Sequence, residues 1–179
     1  MKSDVKGTVR RAVAYVLEEI FCIPAKPDVR FLARAAVIAA LYAALTLLLA
    51  VISFGPVQFR VSEALTLLPI LTPAAVPGLT VGCLVANILG SATPWDMFFG
   101  TLATLAAAIL TRRLREKPLL AALPPVLVNA VVVGAVLAWF YNLPFLLTAL
   151  EVGAGELVVC YLLGLPLYYT LRRLPRNIW

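Results

Sequence analysis

The run LARAAVIAALYAALTLLLAVI at residues 32–52 decides the class of this chain. After Arg34 it carries no charge, and the next charged residue is Arg60. A membrane-spanning helix needs about 20 predominantly apolar residues, and this run supplies them. The charges outside it are sorted rather than scattered. Fourteen of the fifteen Lys and Arg residues fall into three clusters, Lys2 to Arg34, Arg112 to Lys117 and Arg172 to Arg176. Between Arg34 and Arg112 only Arg60, Glu63 and Asp96 are charged. Basic residues collect in the cytoplasmic loops of membrane proteins, and a charge at the bilayer centre is costly. The pattern is that of an integral membrane protein.

Composition agrees and excludes several chemistries. Of the 179 residues 63% are hydrophobic and 13% charged, against about 25% charged in soluble domains. Histidine is absent, which excludes a hydrolytic triad, a His-based zinc site and His-ligated haem. Cys22, Cys83 and Cys160 have no paired spacing, so a disulfide framework is not expected. No phosphate-cradling loop ending in Lys-Ser/Thr occurs, so ATP is not bound by that route. The sequence pI near 9.6 fits anionic lipid and cytoplasmic basic loops better than nucleic acid. Acids and bases run through the first 34 residues, so the start does not read as a signal peptide.

Residues 5–22 read as an amphipathic helix, with Val5, Val9, Val13, Val16, Leu17 and Ile20 on one face. Such an arm either anchors in the plane of the inner leaflet or is a tail. Pro24 and Pro27 end any helix there. Six membrane segments are expected at about 32–52, 61–74, 76–92, 97–111, 119–141 and 146–171. The second is short and is punctuated by Pro69, Pro73 and Pro77; short, interrupted segments in transporters lie near binding cavities. Six spans place both termini and all three basic clusters on the cytoplasmic side, whereas five would put one terminal cluster outside. The fold expected is an all-α, compact six-helix bundle. Residues 1–31 form a cytoplasmic arm, 32–172 the membrane domain and 173–179 a cytoplasmic tail.

Small residues at four-residue spacing let helices approach in lipid. Two such rows run side by side along the first span, Ala36, Ala40, Ala44 and Ala35, Ala39, Ala43, and a third runs along Gly78, Gly82, Ala86, Gly90. The third suits ordinary bundle packing. The first span, with its flat alanine faces, also suits docking to another protein.

The polar residues away from the basic clusters fall mostly in the outer half of the deduced topology. Each has a functional and a plain reading. Arg60 and Glu63 either face a solute or pair with each other at a helix start. Asp96 is a ligand group or a helix cap after Pro94. Asn87 and Asn129 read a solute or join helices. Trp95 is a stacking surface or belongs, with Trp139 and Tyr141, to an interfacial belt. Glu151 reads as solvated. Glu156, well inside a long apolar helix with Gly153 and Cys160 on its face, requires a partner or a ligand. A pocket of acids, amides, an arginine and aromatics without a catalytic base or metal set reads as a solute-binding site. The acids favour a ligand rich in hydrogen-bond donors or positively charged.

Four runs carry a family resemblance: SFGPVQFRVSEALTLLP (Ser53–Pro69), TPAAVPGLTVGCLVANILG (Thr72–Gly90), PPVLVNAVVVG (Pro124–Gly134) and GELVVCYLLGLPL (Gly155–Leu167). Together they resemble the QueT family, substrate-binding S components of energy-coupling factor (ECF) transporters for queuosine precursors, over about residues 32–172. The resemblance implies a bacterial multi-pass plasma-membrane protein, not an enzyme, that captures its solute outside. It then docks on a transmembrane coupling protein with two ABC ATPases and topples to release the solute inside. ATP is then hydrolysed by those partners, and this chain carries no cofactor of its own. The Ala36, Ala40, Ala44 row matches the small-residue face such proteins use for docking. A 7-deazaguanine base offers a ring N–H and an exocyclic amine that one carboxylate accepts together. The expected roles are Glu156 on that edge, Asn129 on the carbonyl or a ring nitrogen, Glu63 or Asp96 on an aminomethyl cation, Arg60 beside Glu63, and Trp95 stacking. Asn87 completes the candidate set. The alternatives are the same fold for another vitamin-like heterocycle, or a membrane subunit without transport.

Overall fold

The computed structural model describes residues 26–53, 59–90 and 93–175, together with Val16, Glu18 and Pro24. The amphipathic arm expected at 5–22 therefore lies outside the described residues, apart from Val16 and Glu18. All regular structure among the described residues is helical. The α-helices are α1 (Val29–Leu48), α2 (Ala50–Ser53), α3 (Ala75–Leu89), α4 (Thr101–Arg113), α5 (Pro118–Ala121), α6 (Leu123–Tyr141), α7 (Phe145–Val158) and α8 (Leu165–Leu171). A 3-10 helix occupies Val61–Ile70, and π turns occupy Asp96–Gly100 and Val159–Gly164.

Among the described residues three stretches are long and apolar enough to cross a membrane, Val29–Leu48, Pro118–Tyr141 and Phe145–Leu171; Val61–Ile70 and Ala75–Leu89 are shorter apolar helices. The first begins three residues earlier than the sequence suggests. Asp28 Oδ1 accepts from Phe31 N at 2.7 Å, which satisfies one of the amides left over at a helix start. At the far end of α6, Asn142 takes the left-handed conformation (φ 53°), a conformation asparagine tolerates, and stops the helix.

The second segment departs most from expectation. It is a ten-residue 3-10 helix rather than an α-helix, although runs beyond 3–4 residues are uncommon. Pro69 lies inside it and removes a backbone donor. Its setting accounts for its survival: Ser62 through Ile70 are all buried, packed against α1, α4 and the Val159–Gly164 turn. Irregular backbone at membrane depth is tolerated only where protein, not lipid, surrounds it. The carbonyls at its end are satisfied as well, since Arg112 Nη1 donates to Pro69 O at 2.9 Å and to Ile70 O at 3.2 Å.

The last segment is continuous but not uniformly α-helical. Pro166 has no N–H to give the carbonyl of Leu162, and the bonding pattern widens to i→i+5 over Val159–Gly164. Such π turns recur at functional sites; this one begins three residues after Glu156, and the other begins at Asp96.

Packing separates the two alanine rows that the sequence leaves ambiguous. Ala35, Ala39 and Ala43 face α3, where Gly78 and Gly82 sit so close that an added Cβ would stand 2.8 Å from the Ala35 and Ala39 carbonyl oxygens. Ala36, Ala40 and Ala44 are exposed. An apolar groove lies beside that row, lined by Val37 and Leu41 of α1, Leu65 and Leu68 of the 3-10 helix, and Leu167 and Leu171 of α8. Arg34 shares the groove with Leu171, so the start of α1 and the end of α8 meet at one end of the bundle. Gly82→Ala is expected to lower stability by about 1–3 kcal/mol, the usual cost of overpacking. Ala40→Leu, on the exposed row, is expected to stay within about 0.5 kcal/mol. Denaturant unfolding in detergent, followed by circular dichroism, compares the two.

Candidate functional site

Four of the seven expected site residues line one cavity. Arg60 and Glu63 come from the start of the 3-10 helix, Asn129 from the middle of α6 and Glu156 from α7; Gly100, Thr104, Val133 and Val152 complete the wall. All four polar side chains are buried. The cavity is nearly closed, with a free volume of about 10 Å³, room for about one water molecule. A formed small-molecule pocket has roughly 300 Å³ or more. A bicyclic ligand thus enters only if the lining moves apart.

Hydrogen bonds explain why buried acids are tolerated here. Asn129 Nδ2 donates to Glu156 Oε1 at 2.8 Å, and Cys160 Sγ stands 3.8 Å from Glu156 Oε2. The Asn129 amide also lies beside Glu63, so it sits between the two acids. Glu63 Oε1 accepts a hydrogen bond from the hydroxyl of Tyr42 on α1. Glu63 Oε2 is buried and has no hydrogen-bond partner among the described residues. Arg60 lies near enough to Glu63 and Asp96 to feel both charges, and its Nε approaches Ser53 O at 3.4 Å. Arg60, with extended backbone, immediately precedes the 3-10 helix, and Glu63 lies in its first turn.

The other three expected residues stand outside the cavity wall. Asn87 Nδ2 donates to the backbone oxygen of Asp96 at 3.2 Å. Both are buried, just behind Gly100, where a Cβ would lie 3.4 Å from Asn87 Nδ2 and 3.8 Å from Asp96 Oδ1. The capping role weighed for Asp96 belongs to Thr93, whose Oγ1 accepts from Asp96 N at 3.1 Å. Trp95 is 48% exposed. It meets Trp139 edge to face at 5.5 Å and stacks on Phe99 at 6.1 Å, an aromatic group at the bundle surface.

Tyr42 and Thr104 belong to the site but were missed from the sequence, which named Cys160 only as sharing a helix face with Glu156. Tyr42 sits inside an apolar, alanine-rich span with no polar neighbour in sequence except Thr46. Only its position on the helix face opposite the exposed alanines was available as a signal.

The model of the QueT transporter family matches residues 32–173. The chain belongs to that family. Its long apolar helices agree with a place in the membrane. A relative from Lactococcus lactis subsp. cremoris (strain MG1363), the queuosine precursor transporter QueT, is 43% identical over 72 residues. That alignment spans 39% of this chain and 42% of the relative. No solved structure matches the chain.

The Asn129–Glu156 bond yields a prediction independent of any ligand. Asn129→Leu removes the donor and leaves a buried carboxyl unsatisfied, at a cost of about 1–3 kcal/mol. In a Glu156→Leu background the same substitution is expected to cost clearly less. A double-mutant cycle of unfolding free energies in detergent measures the difference.

Proposed function

We propose that this chain is the solute-binding membrane component of an ECF-type importer for a queuosine precursor. It takes a 7-deazaguanine base from outside the cell and passes it inward with an ATP-driven coupling module. The observation that carries this reading is the convergence of Glu156, Asn129, Glu63 and Arg60 on one buried cavity in a chain of the QueT transporter family. The relative's name supports the choice of ligand.

The chemistry of the wall suits such a base. One carboxylate accepts a ring N–H and an exocyclic amine side by side. In this reading Glu156 takes that edge, exchanging its bond with Asn129 for the ligand's two donors. Asn129 then turns an N–H to the ligand's carbonyl. A buried acceptor used in this way rejects ligands without that edge, because its lone pairs would be left unpaired. Glu63, with one oxygen unbonded, meets a further donor or an aminomethyl cation. Arg60 keeps local charge in balance. Asp96 and Asn87 act behind Gly100, and Trp95 stands as a surface aromatic.

The topology follows from the charge rule. We read six membrane segments in the bacterial plasma membrane: α1 with α2, the 3-10 helix, α3, α4 with its π turn, α5 with α6, and α7 with α8. Both termini are then cytoplasmic. The meeting of Arg34 and Leu171 in one groove, and the reach of Arg112 to Ile70, support placing the basic clusters at one end. The polar cavity then lies toward the outer end, where the chain enters the 3-10 helix at Arg60. The exposed Ala36, Ala40, Ala44 row and the groove beside it offer a face for the coupling protein.

Isothermal titration of the purified chain in detergent tests the ligand. Submicromolar binding is expected for 7-deazaguanine precursors of queuosine, and none for guanine, thiamin, riboflavin or biotin. Binding confined to one of the controls would instead favour another heterocycle, and no binding at all a subunit without transport. Glu156→Gln replaces one acceptor oxygen by a donor and is expected to weaken binding by about tenfold or more while the protein stays folded. Ala40→Leu is expected to leave binding intact but abolish uptake by cells that depend on the coupling module. Normal uptake by this variant would remove the alanine row from the docking face.

A further inference from the structure

Tyr42 ties the cavity to α1, the helix that carries the exposed alanine row. Its side chain is fully buried, and a buried phenol takes a hydrogen-bond partner. The partner is Glu63, and only through Oε1. The other oxygen, Oε2, is buried without a partner among the described residues, although Glu63 lines the cavity. A buried carboxylate that merely stabilises the bundle is expected to have both oxygens satisfied. Here Oε1 is bonded by Tyr42, and Oε2 has no donor within hydrogen-bond distance among the described residues, although the Asn129 amide lies beside Glu63.

We propose that Tyr42 is a positioning residue for the ligand site, holding Glu63 Oε1 so that Oε2 is left as an acceptor for the ligand. The proposal rests on the reading of this cavity as the solute site. Without the phenol, the buried carboxylate loses the donor that fixes its rotamer and supports its charge, and the acceptor is no longer presented in one place. A second bond between the same two elements leaves the backbone out of the question. Thr46 Oγ1 donates to Ser62 Oγ at 2.7 Å one turn further along α1, holding α1 against the 3-10 helix independently of Tyr42. The ring of Tyr42 also packs where α1 meets α3, its Cβ lying 2.9 Å from where a Cβ on Gly82 would stand. Phenylalanine keeps that packing and removes only the hydroxyl.

The test is isothermal titration of 7-deazaguanine bases into four chains: unmodified, Tyr42→Phe, Glu63→Gln and the double variant. Tyr42→Phe is expected to weaken binding by about tenfold, the scale of a hydrogen bond to a charged group. In the Glu63→Gln background its effect is expected to shrink to less than about twofold, because a residue acting through Glu63 has nothing left to position. Unchanged or tighter binding by Tyr42→Phe, or the same fold-loss in both backgrounds, would overturn the proposal. Infrared difference spectra of the unmodified chain give a second readout that needs no Tyr42 variant. A carboxyl band assigned to Glu63 by its absence in Glu63→Gln is expected to shift when the base binds, and a band that does not respond also overturns the proposal. Failure of the unmodified chain to bind any of these bases sinks the site reading and this proposal together. Binding by that chain with an indifferent Tyr42→Phe sinks the proposal alone.

Discussion

A carboxyl group inside an apolar bundle has to find donors, and two of them, Glu63 and Glu156, lie within one small cavity here. Burying an acid without partners costs several kcal/mol or drives it to the neutral form, so the elements around these two are arranged to supply hydrogens. Asn129 of α6 serves Glu156, and Tyr42 of α1 serves Glu63. Those two bonds run from the 3-10 helix and α7 to two separate long helices. The register of four elements is thereby fixed by the needs of two side chains. Among the described residues the fold leaves Glu63 Oε2 without a partner.

The same constraint explains the unusual backbone. A ten-residue 3-10 helix has poor hydrogen-bond geometry, and it survives because it is enclosed on every side. Its first turn carries Glu63, and the extended residue before it is Arg60, so both reach the cavity from one end of the helix. Its terminal carbonyls are answered by Arg112, a member of a basic cluster that the sequence alone assigns to topology. The π turns at Asp96–Gly100 and Val159–Gly164 flank the cavity in the same way. Departures from the α-helix thus gather around the polar cluster, whereas the stretches that face outward as long spans, such as α1 and α6, are regular.

Helix-to-helix contact without a hydrophobic driving force depends on close approach, and the glycines of α3 provide it against α1. Their use of Ala35 and Ala39 leaves the parallel row, Ala36, Ala40 and Ala44, on the surface. A helix with small residues on two adjacent faces can be packed inside its own bundle on one and remain available on the other. The inward turn of the same helix delivers Tyr42 to Glu63, so one helix serves the cavity, the bundle and the outer face.

The class of the molecule and the order of its helical segments were legible in the sequence, because both follow from local quantities: the length of apolar runs, the sorting of Lys and Arg, and the cost of charge in lipid. Glu156 stood out for the same reason, as an acid well inside a long apolar run. Tertiary structure alone decided the rest. Whether Val61–Ile70 would be α or 3-10 turned on its complete enclosure by other elements. Which alanine row would pack turned on where the α3 glycines fell. Tyr42 could not be recognised as Glu63's donor because the two are 21 residues apart and a tyrosine in an apolar span has no local signature of its partner. Asn87, Asp96 and Trp95 looked equivalent to Asn129 along the chain, yet Gly100 separates the first two from the cavity and Trp95 packs on Trp139 at the surface. Hydrophobicity and charge act on each residue where it stands, but hydrogen-bond satisfaction in a dry interior is a property of pairs, and only the fold brings the pairs together.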